Sequence, residues 1–218
     1  MLTRFCYRVH RRKSFSFLKT KSMATFDVNS LFINDVHVNA KGIKSAQLLD
    51  ENRKPLFYHG DLARSPFGPS NFDKDESAPR MNIELRMSPE HMQFFEQLDE
   101  FIIQYLSVHS ERLFKKQLTP EAIRDRYSSS MKHSDKHDPL LKCKINMPKS
   151  MNPCRFWTEA GDRTQMPADW RRTDLKPKLH LSHLWIMGNS CGLVINLTDA
   201  LVTEESAAFP WASQECVL

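Results

Sequence analysis

The residues able to do chemistry in this chain are defined first by what surrounds them. His133 and His137 stand four apart, a spacing that puts two imidazoles on one helix face, but they lie in a polar run, SSSMKHSDKHDP (128–139), with no helical pattern. This run reads as a mobile loop. His180 and His183 alternate to opposite faces of an extended run and reach a common metal only across a bulge. Cys143 faces inward on its own alternating run, with no His–Asp pairing nearby. HExxH, a nucleophile elbow and a phosphate loop are all missing from the sequence. No catalytic residue, metal or cofactor is assigned on this basis, and an enzyme is not expected.

A second chemistry fits better: aromatic rings beside cations, which stack on nucleobases and contact phosphates. Lys142 and Lys144 project from the outward side of LLKCKINM, Trp170-Arg171-Arg172 has polar neighbours and reads as exposed, and Lys176, Lys178 and His180 lead into the last apolar segment. Phe67 sits in SPFGP, where two prolines fix φ and a glycine frees it. Each has a plainer structural reading. Paired lysines shield a strand edge, and a stiff-loop Phe plugs one end of a core; taken alone, both plainer readings are preferred. Trp157 fits a core or a stacking role equally.

These groups must be carried by elements, and the most legible is 178–200, KLHLSHLWIMGNSCGLVINLTDA. Two apolar, β-rich runs flank GNSCG, a hairpin signal. Plain alternation puts Leu179, Leu181, His183, Trp185 and Met187 on one face, with Trp185 serving mainly the fold. Upstream, residues 26–38 and 45–49 read as extended, with a turn at NAKG (39–42), another at DENRKP (50–55) and a short strand at 56–58. Residues 80–87 alternate as a half-buried strand. Ser88 then caps a helix with Pro89 at its first position; Met92, Phe95, Leu98, Ile102, Leu106 and His109 form its apolar stripe, and Glu96, Asp99 and Glu100 its acidic face. Thr119-Pro120-Glu121 opens a shorter helix, 141–147 alternates again, and 148–177 is a long connection. The predicted fold class is mainly β with α: a barrel of OB-fold plan with a long helix between its third and fourth strands.

Composition bounds the rest. The 218 residues carry a formal charge of +5, but residues 1–22 hold seven Lys or Arg and no acid, so the remainder has 24 basic against 26 acidic residues, a net of −2. Nucleic-acid binding must therefore rest on where the cations sit. Five scattered cysteines without CxxC spacing argue for a reducing compartment, and no apolar run of about 18 residues is available to span a membrane. The predicted division is a basic leader at 1–22, a binding domain at 23–203 and a short acidic-aromatic tail at 204–218. The leader fits a mitochondrial transit peptide, a basic tail, or an upstream start before Met23. The expected location is intracellular: mitochondrial with a transit peptide, nuclear or cytoplasmic without one.

The segments KSAQLLDENRKPLFYHGD, SPFGPSNFDKD, EQLDEFIIQYLSVHSERLF, LLKCKINM and HLWIMGNSCGLVINLTDALV, in that order, resemble the single-stranded DNA-binding proteins of algal nucleocytoplasmic large DNA viruses, which are themselves similar to the replication single-strand binder of podophages. The resemblance covers residues 26–203. It implies an OB-fold that coats single-stranded DNA in replication, recombination or repair without catalysis. Lys142, Lys144, the Lys176–Lys178–His180 row and the loop aromatics would then line the groove. RNA stays open as a ligand, as do a homodimer and replication proteins docked through the tail; an OB-type protein-interaction module is the alternative. The chain departs from the pattern at His59-Gly60-Asp61, at Leu113-Phe114 and in its short, weakly acidic tail.

Overall fold

The computed structural model describes residues 31–203 apart from 74 and 76; the expected leader and tail lie outside the described residues. In chain order the elements are β1 (Phe32–Ile33), β2 (His37–Val38), β3 (Lys44–Leu49), β4 (Phe57–His59), β5 (Ala63–Arg64), β6 (Arg80–Met87), α1 (Pro89–Val108), α2 (Ser110–Phe114), α3 (Pro120–Arg124), β7 (Tyr127–Ser128), β8 (Met131–Ser134), β9 (His137–Asn146), β10 (Arg155–Trp157), β11 (Arg163–Thr164), β12 (Asp174–Met187) and β13 (Ser190–Thr203).

Five walls close into a barrel. β12 pairs with β13, β13 runs parallel to β9, β9 pairs with β6, β6 with β5, and β5 returns to β12. The first wall is interrupted: β3, β4 and β5 follow one another along β12. Closure hides the backbone edges that an open sheet would expose. This is the expected mainly β, OB-type barrel, but the long helix follows the second wall, β6, and precedes the third, β9, instead of lying between the third and fourth strands.

The alternating sequences explain the core. Met81, Ile83, Leu85 and Met87 of β6 and Leu141, Cys143 and Ile145 of β9 are buried. They share one apolar cluster with Phe95, Leu98, Ile102 and Leu106 of α1. Thr119 caps α3 by accepting from the Ala122 N–H at 3.3 Å, whereas Ser88 occupies the α1 cap position without a side-chain cap bond. The turns at 39–42 and 50–55 form as expected, with Asn39 Oδ1 and Asp50 Oδ1 each accepting two backbone N–H groups.

Three expectations are corrected. Residues 128–139 are not a mobile loop; β8 and β9 form a hairpin through them, with Met131 opposite Leu141 and Ser134 opposite His137. Asp99 does not belong to an exposed acidic face. It is 6% exposed and accepts hydrogen bonds from the Tyr127 and Ser129 hydroxyls and from both the N–H and hydroxyl of Ser130. The third concerns the final hairpin, whose turn is Gly188-Asn189, with Met187 opposite Ser190. Its first strand does not alternate uniformly: Leu181 pairs with Ile195 but His183 pairs with Val194, leaving Ser182 as the extra residue of a bulge. The inward set therefore changes from Leu179 and Leu181 to Leu184 and Ile186, and His183 and Trp185 become half-buried on the outer side. Trp185 lies against Gly192, where any Cβ would sit 3.0 Å from the indole.

Candidate nucleic-acid interface

Side chains that alternate away from the core meet on the outer face of the barrel, and strand register aligns them. Asn82 on β6 stands opposite Lys144 on β9, Lys144 opposite Asn196 on β13, Asn196 opposite His180 on β12, and His180 opposite Phe57 on β4. This is one unbroken lateral row over four strand junctions, about 19 Å long at the usual spacing of strands. Its members are linked. Lys144 Nζ donates to Asn82 Oδ1, Arg80 Nη2 donates to Asn196 Oδ1 at 2.6 Å, and the His180 ring lies 5.0 Å from Phe57. Lys178 Nζ stands 4.6 Å over the opposite end of this group, on the Phe57 ring.

The electrostatics of the row are unbalanced. Burial lowers the pKa of Lys144, and neighbouring Arg80 lowers it further. Burial also lowers Arg80. It lowers Lys142 as well, against the pull of Asp99 and Glu84. His59, His180 and His183 are lowered first by burial, His59 also by Lys178, and His183 also by Arg80 and His180. Partly desolvated cations crowd one face, and the nearby carboxylates are engaged elsewhere: Glu84 with Lys132 at 2.7 Å, Asp199 with Arg155 at 2.7 Å, and Asp99 with the donors of residues 127–130. Such a face suits a polyanion, which would supply the missing counter-charge.

The loop between β5 and β6 brings exposed aromatics to one end of the row. Ser70 bridges Asn82 through backbone hydrogen bonds of 2.7 and 2.8 Å. Phe72 is 96% exposed and Phe67 is 65% exposed, with Lys132 Nζ 5.9 Å over the Phe67 ring. Phe67 therefore does not plug the core. Trp170 is the reverse case, and its expected exposure is corrected. It is 7% exposed and meets Phe156 edge-on at 5.8 Å. Its indole lies where a Cβ on Gly68 would be, 3.0 Å away, so it shapes the Phe67 loop and offers no free ring face. Gly68 has φ +69, and Gly68→Ala is expected to cost about 1–3 kcal/mol, from left-handed strain and the Trp170 contact together, measured by thermal denaturation.

Lys176, Lys178 and His180 do line the outer side of β12, and Lys142 and Lys144 that of β9. Arg171 and Arg172 are exposed on the turn after Trp170, outside the strand register that builds the row; Arg172 lies 3.7 Å from Asp169. Phe57, Phe72, Arg80, Asn82 and Asn196 were not expected at the interface, and His183 was weighed only as a metal ligand. For Asn82 and Asn196 the signal was their place on the outward side of an alternating strand; for His183 it was hidden by the bulge.

Burial raises the thiols of Cys154 and Cys191 to about 12 and about 11, and that of Cys143 further, so none is a ready nucleophile. Among the described residues no group of three or more His, Cys, Asp or Glu is placed to hold a metal.

No protein-family model and no curated protein matches the sequence. Among solved structures, the chain is similar to a single-stranded DNA-binding protein encoded by bacteriophage T7, with 12% identity, 75% of this chain and 97% of that one covered, and a TM-score of 0.44. It is also similar to the single-stranded DNA-binding protein from bacteriophage Enc34, with 12% identity, 84% and 96% covered, and a TM-score of 0.44.

Proposed function

We propose that the chain is a non-catalytic protein that binds and coats single-stranded DNA in replication, recombination or repair. The observation that carries this reading is the unbroken row Asn82–Lys144–Asn196–His180–Phe57, flanked by Arg80, Lys142 and Lys178 and ending at Phe72. Ammonium and guanidinium groups at strand spacing suit phosphates, and rings standing off the loops suit bases, without the groove-shaped readout that duplex sequence recognition needs. The algal-virus type of single-strand binder is the relationship we favour, with 23–203 as the binding domain, 1–22 as a leader that sets the compartment, and 204–218 as a segment for docking replication proteins.

Titration of fluorescent oligo-dT, oligo-U and duplex at two salt concentrations tests the reading. Single strands are expected to bind more tightly than duplex, with log K falling by about 0.7 per decade of salt for each phosphate contacted. Equal binding of oligo-U would make RNA a ligand too. No binding at low salt, with a nuclease-insensitive protein partner recovered instead, would replace this function by a protein-interaction module.

Binding also has a pH signature. Burial holds His59, His180 and His183 below the ordinary imidazole pKa of 6.5, so their neutral forms stabilise the free protein above 6.5 and that contribution is lost as pH falls through the folded values. A bound phosphate backbone favours the charged forms. Affinity for oligo-dT is therefore expected to rise as pH falls below about 6.5, by at most about tenfold per pH unit for each proton taken up. His180→Gln with His183→Gln should flatten most of that rise; an unchanged pH profile in this variant would remove both imidazoles from the interface.

A further inference from the structure

A second lateral row crosses β13, β12 and β4 beside the first. Arg155 on β10 stands opposite Asp199 on β13, Asp199 opposite Lys178 on β12, and Lys178 opposite His59 on β4. β10 thus takes the place beside β13 that β9 holds three residues earlier, at Asn196, about 10 Å away along the strand. At the end of this row Trp157 alternates to the same side as Arg155, with Phe156 buried between them. The Trp157 indole donates to Asp199 Oδ1 at 3.2 Å, which fixes the plane of its half-buried ring. Arg163, from the paired strand β11, stands 4.9 Å over that ring and Arg155 stands 5.9 Å from it.

The two arginines are not equivalent. Arg155 is tied by both Nε and Nη2 to Asp199, whose carboxyl is pulled down against burial by Arg155 and Trp157. Arg163 is exposed and, among the described residues, has no carboxylate partner. An oriented aromatic beside an uncompensated guanidinium is the pair that stacks a base and meets its phosphate. Asp199 keeps the rest of the cluster rigid while leaving Arg163 free.

We propose that Arg155, Trp157 and Arg163 form a second single-strand contact, which takes the nucleotides that continue past Lys178 when the main row is filled. This rests on the single-strand-binding reading, and an experiment with two oligonucleotide lengths separates the failure of one from the failure of the other. Oligo-dT of 5 and of 15 nucleotides spans the site sizes of about 4–16 nucleotides seen for single OB folds. Arg163→Ala and Trp157→Leu are each expected to weaken binding of the 15-mer by about 5- to 150-fold, the worth of one stacked base, while leaving the 5-mer unchanged. Arg163 is exposed, so its variant reports on binding even if loss of the indole disturbs folding. Unchanged 15-mer affinity in Arg163→Ala and Trp157→Leu would overturn the proposal, as would equal weakening of both lengths. Failure of the unmodified protein to bind either length would instead remove the single-strand reading on which it rests.

Discussion

Replacing Lys144 and Lys178 together by alanine is expected to weaken oligo-dT binding at low salt by about two to four orders of magnitude. The two ammonium groups stand on adjacent rows of the outer face, Lys144 bonded to Asn82 and Lys178 held over Phe57. Each charge-assisted contact is worth about 1.5–3 kcal/mol, and every 1.4 kcal/mol is tenfold in affinity. The salt slope should become shallower by about 1.4, the value of two lost single-strand phosphate contacts. Both side chains point away from the core, so melting temperature should change little. Arg171→Ala with Arg172→Ala is the matching control: the same charge is removed from an exposed turn outside the row, and a smaller loss is expected. If the two double variants lose equal affinity, net charge and not register governs binding.

The largest stability effect is expected at Asp99. Its carboxylate collects four hydrogen bonds from residues 127–130, and the Ser130 carbonyl in turn accepts from the Lys142 N–H at 2.8 Å. Burial raises its pKa even though those donors pull it down. Asp99→Ala removes the acceptor while leaving the donors in a dry site, at a cost of about 3–5 kcal/mol, or about 6–20 °C in Tm for a domain of this size. Asp99→Asn keeps one acceptor oxygen and should lose less. A melting curve of Asp99→Ala within about 2 °C of the unmodified protein would show that water replaces the carboxylate. Because Asp99 fixes the entry to β8, which pairs with the strand that carries Lys142 and Lys144, partial DNA affinity should be lost as well.

The barrel was legible because its walls alternate. Residues 80–87 and 141–146 show period-two burial, as does the first arm of the last hairpin on either side of its bulge, and α1 shows its stripe. Half of the candidate face followed from the same rule, since Lys142, Lys144, Lys178 and His180 are simply the outward partners of buried neighbours. What escaped is what local pattern does not encode. Ser182 looks like any other strand residue, yet the bulge at that point turns His183 outward to join His180. Trp170 sits in a polar run and is nevertheless buried, because Gly68 and Phe156, distant in sequence, provide its pocket. Phe57 gained its position only through pairing with His180, across most of the described chain. A hairpin at 131–141 has a charged tip and little apolar patterning, so its polarity read as a loop.

The interrupted first wall has a consequence for biosynthesis. β3 and β4 contact nothing in the barrel so extensively as β12: Gln47 faces His183 and Tyr58 faces Leu179. A ribosome delivers those early strands long before their partner, and long-range pairings of this kind close slowly. The nascent chain must therefore hold Leu48 and Leu56, both fully enclosed in the finished barrel, in an unsealed intermediate until the last hairpin arrives. That hairpin, being local, can form on its own within microseconds and act as the template onto which the early strands dock. Refolding rate should accordingly respond most to changes at the seam between Lys44–Leu49 and its partner strand, which meets the candidate face only at His183.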